Sequence, residues 1–192
     1  MISKTFHQLL SKVRLVPARL QLHDGDTGNI CFYGGCAGQS IVNTSDFHSQ
    51  RTERLKYSLR FFGCDAPELV PKRKLTTIKG KRIETEKDKA NRELEIKAGH
   101  HVLKNLDAWI KSVNPHSLVW IKFLKNEKFG RLMGHLHIID DAVTSKNNND
   151  GRPSGNEHDI VQWLIDKKYA KQYFGKKKEE WTSEELNFII NN

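Results

Sequence analysis

The sequence predicts an α+β fold, because strand-like and helix-like patterns occupy separate stretches of the chain. Two strand patterns flank a turn near the start, a long helical pattern occupies the middle, and further strands follow it. The 192 residues are enough for one domain with a sizeable core. We expect an N-terminal extension over residues 1–13, a main domain over 14–174, and a C-terminal helical extension over 175–192.

The first two strands are predicted from Arg14 to His23 and from Asn29 to Tyr33. The Asp-Gly-Asp-Thr-Gly sequence between them, residues 24–28, carries the aspartate and glycine residues that favour a tight reversal. The polar stretch from Gly34 to Arg54 is rich in Gly, Ser and Thr, which is typical of a loop or an irregular hairpin tip.

Alternation predicts a third strand from Tyr57 to Gly63, with Leu59 and Phe61 on its core face and Arg60 on the opposite face. The charge-dense stretch from Leu69 to Arg92 follows. We interpret it as a solvated loop or as a contact for a nucleic-acid backbone.

A long amphipathic helix is predicted in the middle of the chain, because apolar residues recur every four positions. These residues are Ala90, Leu94, Ala98, Val102, Leu106 and Ile110. Asn114-Pro115 ends the pattern, since proline disfavours a helical conformation in the residue before it.

Two strands are predicted after this helix, from Leu118 to Leu124 and from Arg131 to Ile139. A second helix is predicted from about Glu157 to Lys171. Thr182 and Glu185 form a capping-box pattern, which predicts the start of a last helix.

The formal charge of +9 and the pI of about 9.5 favour a polyanionic partner, because each neutralised phosphate releases counterions. A cationic protein whose charge only keeps it soluble is the alternative. The three cysteines and the lack of a visible secretory signal indicate an intracellular, cytoplasmic protein with reduced thiols. The acid-free, amphipathic residues 1–23 permit two interpretations, an organelle presequence or a short helix packed on the domain. No apolar run approaches the ~20 residues that span a bilayer, so no membrane association is expected.

Two acidic motifs and two arginines suggest phosphodiester chemistry. Asp-Gly-Asp-Thr at 24–27 is followed by Asp-Ala-Pro-Glu at 65–68, with Arg60 before the second motif and Arg131 further on. Oxygen ligands suit Ca²⁺ or Mg²⁺, a carboxylate can act as a base on water, and guanidinium groups bind phosphate oxygens. Each motif taken alone is also compatible with a simple turn that carries solvated acids.

In this order, the motifs and the Glu-Lys-Phe-Gly-Arg-Leu sequence at 127–132 resemble those of the staphylococcal-nuclease-like (thermonuclease) family. The resemblance runs from about Arg14 to about Phe174. It implies a five-stranded OB-type β-barrel with about three packed helices. It also implies metal-dependent endonuclease activity on DNA and RNA with low sequence specificity, leaving 3′-phosphates.

By matched position, the resemblance implies a Ca²⁺ site, with Mg²⁺ as the alternative ion. Its ligands would be the Asp26 and Asp65 carboxylates and the backbone carbonyl of Ala66, with Asp24 in the outer shell. Threonine is usual where this chain has Ala66. Because the ligand would be the backbone carbonyl oxygen, this difference in side chain should have little effect on metal binding.

The resemblance also implies that Glu68 is the general base and that Arg60 and Arg131 bind the phosphate. Lys128 and Phe129 match positions that contact a terminal phosphate and a base, although tyrosine is usual at Phe129. The partner would be single-stranded or locally open DNA or RNA, bound by a monomer.

A further family tyrosine corresponds to Tyr173 or to Phe174, and we assign Tyr173 to nucleic-acid binding. A barrel that binds nucleic acid without catalysis is the alternative function. A protein-interaction module is a third possibility.

Overall fold

The computed structural model describes residues 16–33, 54–78, 81–115, 117–126, 130–140, 155–175 and 177–192. The predicted N-terminal extension, Cys36 and nearly all of the predicted loop from Gly34 to Arg54 lie outside these ranges. In chain order the strands are β1 (Val16–Leu22), β2 (Thr27–Tyr33), β3 (Arg54–Phe61), β4 (Gly63–Asp65), β5 (Thr76–Ile78), β6 (Lys81–Ile83), β7 (Leu118–Asn126), β8 (Leu132–Ile139), β9 (Glu157–Asp159) and β10 (Lys171–Tyr173). The helices are α1 (Glu86–Val113), α2 (Ile160–Asp166) and α3 (Ser183–Asn191).

Five strands form a closed barrel in the order β3-β2-β1-β7-β8. Neighbours along this order pair antiparallel, and a parallel pairing of β3 with β8 closes the barrel. β9 pairs with the C-terminal end of β8, while β4 pairs with β10 and β5 with β6. The predicted α+β fold, with a five-stranded OB-type barrel and three helices, is confirmed.

The barrel interior is filled by the inward face of each strand. In β8 the side chains alternate between buried and half-buried positions, as the period of a strand requires. Leu59 and Phe61 of β3 are fully buried, which confirms the predicted core face of that strand. The core is completed by apolar residues from the other barrel strands, including Ile30, Ile121 and Leu136.

Helix α1 covers the barrel with the part of the predicted apolar face that runs from Ala98 to Ile110, while Ala90 near its N-terminus is exposed. Thr85 caps its N-terminus by accepting a hydrogen bond from the Asp88 backbone N–H at 3.1 Å, and Asn114 ends it as predicted. Val102 and Leu106 on its buried face are inaccessible to solvent. The helix therefore begins at Glu86, inside the stretch that the sequence analysis interpreted as a loop, and the β5–β6 hairpin occupies another part of that stretch.

The prediction of one helix from Glu157 to Lys171 is wrong. Residues 157–159 form β9 instead, and Asp159 caps α2 by accepting hydrogen bonds from the Val161 and Gln162 backbone N–H groups. The helix ends after Asp166, because Lys168 adopts a positive φ of 57°. Residues 167–170 form turns and bends, and Lys171 begins β10, which pairs with β4.

Helix α3 begins with the predicted capping box: the Thr182 side chain accepts from Glu185 N–H, and the Glu185 side chain accepts from Thr182 N–H. Its buried residues Leu186 and Ile189 join the core, and the helix packs against α1. None of the helices within the described ranges combines the length and the apolarity that crossing a membrane requires.

Replacing Leu106 by alanine tests the contact of α1 with the barrel. Leu106 is fully buried, so Leu106→Ala should lower the free energy of unfolding by about 2–5 kcal/mol, measured by urea denaturation. Lys104→Ala, at an exposed position of the same helix, should change it by less than about 0.5 kcal/mol. Equal effects of the two substitutions would contradict the packing described here.

Candidate active site

A cleft of about 620 Å³ opens at the rim of the barrel, beside α1 and the segment that precedes α3. Five of the residues predicted from the two motifs and the arginines line it: Asp24, Arg60, Asp65, Glu68 and Arg131. Residues that are far apart in the sequence therefore share one concave surface, which is the usual setting of an active site.

The β1–β2 turn brings the first acidic motif to this cleft. The backbone N–H groups of His23 and Asp24 both donate to the Thr27 carbonyl, which closes the turn. Asp24 Oδ1 accepts from the Asp26 backbone N–H at 3.2 Å and from the Thr27 hydroxyl. These bonds hold Asp24 at the cleft and orient Asp26 towards the second motif.

Close packing holds the two motifs together. A Cβ atom at Gly25 would lie 2.6 Å from the Ala66 Cβ, so only glycine permits this approach of the turn to the second motif. The Ala66 backbone N–H donates to Asp26 Oδ2 at 3.3 Å, which ties the same two segments. The geometry of the acids therefore depends on backbone contacts as well as on side chains.

A bend after β3 positions Asp65. Gly63 has φ +99°, a left-handed conformation that favours glycine, and it redirects the chain from β3 into β4. The pairing of β4 with β10 then fixes the new direction, with Asp65 opposite Lys171. As a result Asp65 is only 5% exposed and faces Arg60.

The Arg60 guanidinium lies between the two buried acids. Its Nη2 is 2.9 Å from Asp26 Oδ2 and 3.0 Å from Asp65 Oδ1, and its Cζ is 5.7 Å from the centre of the Tyr173 ring. Arg60 itself is 7% exposed. Because both carboxylates contact one nitrogen atom, their oxygen atoms are neighbours, as the sequence analysis expected of two metal-binding acids.

Burial raises the pKa of Asp26 from 3.8 to about 7. Loss of water around the carboxylate is the largest cause, and the nearby Asp24 and Asp65 carboxylates act in the same direction. The Arg60 guanidinium lowers this pKa but does not offset the burial. A further cation near Asp26 would therefore stabilise the ionised form of its carboxyl group.

Glu68 lies at the mouth of the cleft, half-buried, with its backbone N–H donating to Glu95 Oε1 at 3.3 Å. Glu95 comes from α1, and burial raises the pKa of its carboxyl group. Glu68 Oε1 in turn accepts a hydrogen bond of 2.8 Å from Lys178 Nζ. The predicted general base is thus placed in the cleft and already has a cationic partner.

Lys178 is a residue of the site that the sequence analysis missed. Its Nζ lies 2.5 Å from Asp65 Oδ1 as well as 2.8 Å from Glu68 Oε1. Burial lowers the pKa of this lysine, but the hydrogen bonds to the two acids outweigh it, and the net pKa is raised. Nothing in the sequence distinguishes Lys178 from the lysines next to it, because its contacts depend on the path of the chain after β10.

Arg131 immediately precedes β8 and is half-buried on the cleft wall. Basic side chains of the stretch after Glu68 also line the cleft, namely Lys72, Arg73 and Lys74. Lys74 Nζ is 2.8 Å from Glu180 Oε2. The cleft therefore combines the Asp65 carboxylate and the adjoining Asp26 carboxylate, which we call the acidic floor, with basic side chains in its lining.

Lys128 and Phe129 lie outside the described residues. His137 is half-buried, with its Nδ1 2.9 Å from Glu157 Oε1, and His135 packs its ring edge against Phe62. Burial lowers the pKa of His135.

The donor chemistry of the acidic floor fits a hard divalent cation. Asp26 and Asp65 supply neighbouring carboxylate oxygens, and the Ala66 peptide lies beside Asp26. Within the described ranges, however, no group of three or more His, Cys, Asp or Glu side chains is arranged to hold a metal ion. A cation here would depend on the two acids, on backbone oxygen, and on water or substrate.

The chain matches no protein-family model, and it has no significant match among curated proteins.

The raised pKa of Asp26 predicts a specific pH dependence of stability. Between about pH 4 and pH 7 the folded protein retains a proton on Asp26 that the unfolded chain has lost, so this group lowers stability as the pH rises. Asp26→Asn removes the effect, and the variant should therefore gain stability relative to the parent protein across this range. The gain is on the order of a few kcal/mol, since one pKa unit corresponds to about 1.36 kcal/mol.

Urea unfolding at several pH values, without divalent cations, measures this gain. Asp107→Asn, which alters a carboxylate with a 47% exposed side chain, is the matched control and should follow the pH profile of the parent. Parallel profiles for Asp26→Asn and the parent would show that Asp26 has an ordinary pKa.

Proposed function

We propose that the chain is a metal-dependent endonuclease that hydrolyses phosphodiester bonds of DNA and RNA with low sequence specificity. The observation that carries this proposal is the meeting of Asp65, Glu68, Arg60 and Arg131 in one cleft, with Asp26 bonded to Arg60. These are the residues that the resemblance to the staphylococcal-nuclease-like family assigns to metal binding, proton transfer and phosphate binding. By the same resemblance the products carry 3′-phosphates.

The charge pattern of the cleft supports a nucleic-acid substrate. Lys72, Arg73 and Lys74 line the rim, where they can contact successive phosphates. The overall charge of +9 acts in the same direction, because it attracts a polyanion over a longer range. The proposed substrate is single-stranded or locally open, and the protein acts on it as a monomer.

Asp26, Asp65 and the Ala66 carbonyl would hold the cation, Ca²⁺ or Mg²⁺. When bound, it would supply Lewis-acid neutralisation of charge on a phosphoryl oxygen. The neighbouring oxygens of the two acids support this assignment.

In the proposed mechanism, Glu68 accepts a proton from the water that attacks phosphorus. The bond from phosphorus to the 5′ oxygen breaks, and the leaving oxygen takes a proton from solvent to become a 5′-hydroxyl. Its position at the mouth of the cleft gives it access to water, and its hydrogen-bonded backbone holds it there. Arg131 stabilises the negative charge that develops on the phosphoryl oxygens. Arg60 faces the same cleft while it holds the two acids together.

A binding module without catalysis is the second candidate, and one observation favours it. Arg60 and Lys178 together already contact Asp26, Asp65 and Glu68. The acids are therefore balanced in part by the protein's own cations, and the barrel could bind nucleic acid through its basic rim alone.

Glu68→Gln and Arg131→Ala test the proposed catalysis on a single-stranded DNA oligonucleotide. With Ca²⁺, Glu68→Gln should reduce kcat about 10²–10⁴-fold, as loss of a general base does. Arg131→Ala should reduce it about 10²–10³-fold, as loss of a preorganised donor does. Chelation of the metal should abolish cleavage by the parent protein.

Arg19→Ala serves as the matched control, since Arg19 is exposed on β1 and its loss removes the same charge. It should cleave as the parent does, and fluorescence anisotropy should show whether each variant still binds the oligonucleotide. Salt-sensitive binding without cleavage by the parent would favour the binding module. Absence of both would favour a protein-interaction module.

A further inference from the structure

The C-terminal segment places a lysine side chain inside the candidate active site. Lys178 lies 110 residues beyond Glu68 in the sequence, yet its Nζ contacts the Glu68 carboxylate at 2.8 Å and Asp65 Oδ1 at 2.5 Å. One ammonium group therefore bridges a proposed metal ligand and the proposed general base.

Contacts on both sides of Lys178 fix its position. Before it, the pairing of β10 with β4 anchors the chain at the cleft, and Gly175 turns it with φ +86°. After it, Glu180 Oε2 contacts Lys74 Nζ at 2.8 Å, and the Glu180 carbonyl accepts from Lys171 Nζ at 3.0 Å. The bridge is thus part of a segment held at several points.

The position of Lys178 conflicts with the proposed chemistry. Asp65 Oδ1 already contacts both Arg60 Nη2 and Lys178 Nζ. A divalent cation on Asp65 would therefore be a third positive group at one carboxylate, and like charges repel each other. Glu68 Oε1 accepts from Lys178, which places a positive charge beside the proposed general base, while the lone pairs of Oε2 can still accept a proton from water.

The two cations of the site differ in their freedom to move. The Arg60 side chain is 8% exposed, while that of Lys178 is 42% exposed on a flexible four-carbon stem. Lys178 can therefore rotate into solvent without moving the backbone, whereas Arg60 is enclosed between two buried acids.

We propose that Lys178 is a built-in competitor of the divalent cation, which closes the site by bridging Asp65 and Glu68 and leaves when the cation binds. This inference rests on the proposed function and adds a form of autoinhibition to it. The cation requirement of the enzyme is then set partly by the C-terminal segment. A lysine that only stabilises the fold would instead leave cation affinity unchanged when it is replaced.

Isothermal titration calorimetry with CaCl₂ on the full chain tests this inference without relying on activity. Lys178→Gln should bind Ca²⁺ at least about tenfold more tightly than the parent, a difference of about 1.4 kcal/mol. Lys178→Arg keeps the charge and should bind as the parent does. Lys177→Gln removes the same charge from the exposed neighbouring position and should also bind as the parent does.

The inference would be overturned by equal affinity of Lys178→Gln and the parent, by an equal gain in Lys177→Gln, or by an equal gain in Lys178→Arg. Thermal unfolding of each variant is measured alongside the titrations. A Lys178→Gln protein that does not fold would show that Lys178 is required for folding, and this result would also overturn the inference. Absence of Ca²⁺ binding in every variant would overturn it as well.

The DNA-cleavage assay separates this inference from the proposed function. Chelator-sensitive cleavage that depends on Glu68, together with unchanged Ca²⁺ affinity in Lys178→Gln, would leave the nuclease proposal standing and remove only the role of Lys178. Cleavage that persists in Glu68→Gln would reject the proposed catalytic role of Glu68, whatever the titrations show.

Discussion

The Arg60 guanidinium lies between two buried carboxylates, and the candidate site depends on that contact. Asp26 and Asp65 are each 5% exposed, and two buried acids this close would repel each other without a cation between them. The backbone of Arg60 pairs with Thr27 of β2 on one side and with Met133 of β8 on the other. The same residue therefore belongs to the strand pairing that closes the barrel and to the charge balance of the cleft.

The parts of the site that could be predicted from the sequence are those set by local chemistry. The turn at 24–27 and the alternation around Arg60 follow from residue types that are adjacent in the chain. The family resemblance assigns these segments to one site, and in the structure their residues line one cleft. Their catalytic roles remain proposals.

The parts that could not be predicted depend on distant segments. Residues 157–159 form a strand because β8 offers them an edge to pair with, and 171–173 do so because β4 does. Helical periodicity in the stretch between them gives no sign of either pairing. Lys178 is similar: its place in the cleft follows from the β4–β10 pairing and the turn at Gly175, not from its neighbours in sequence.

The pairing of β10 with β4 also has a consequence for the order of events during synthesis. The floor of the cleft is built from residues near position 65, but the strand that fixes them begins only at Lys171. Before residues 171–173 have been synthesised this pairing cannot form, and the parallel closure of β3 on β8 cannot form before residue 132 has emerged. The acidic floor is thus assembled only after residues 171–173 have emerged, so a nascent chain that stops before β10 cannot hold these groups in their final arrangement.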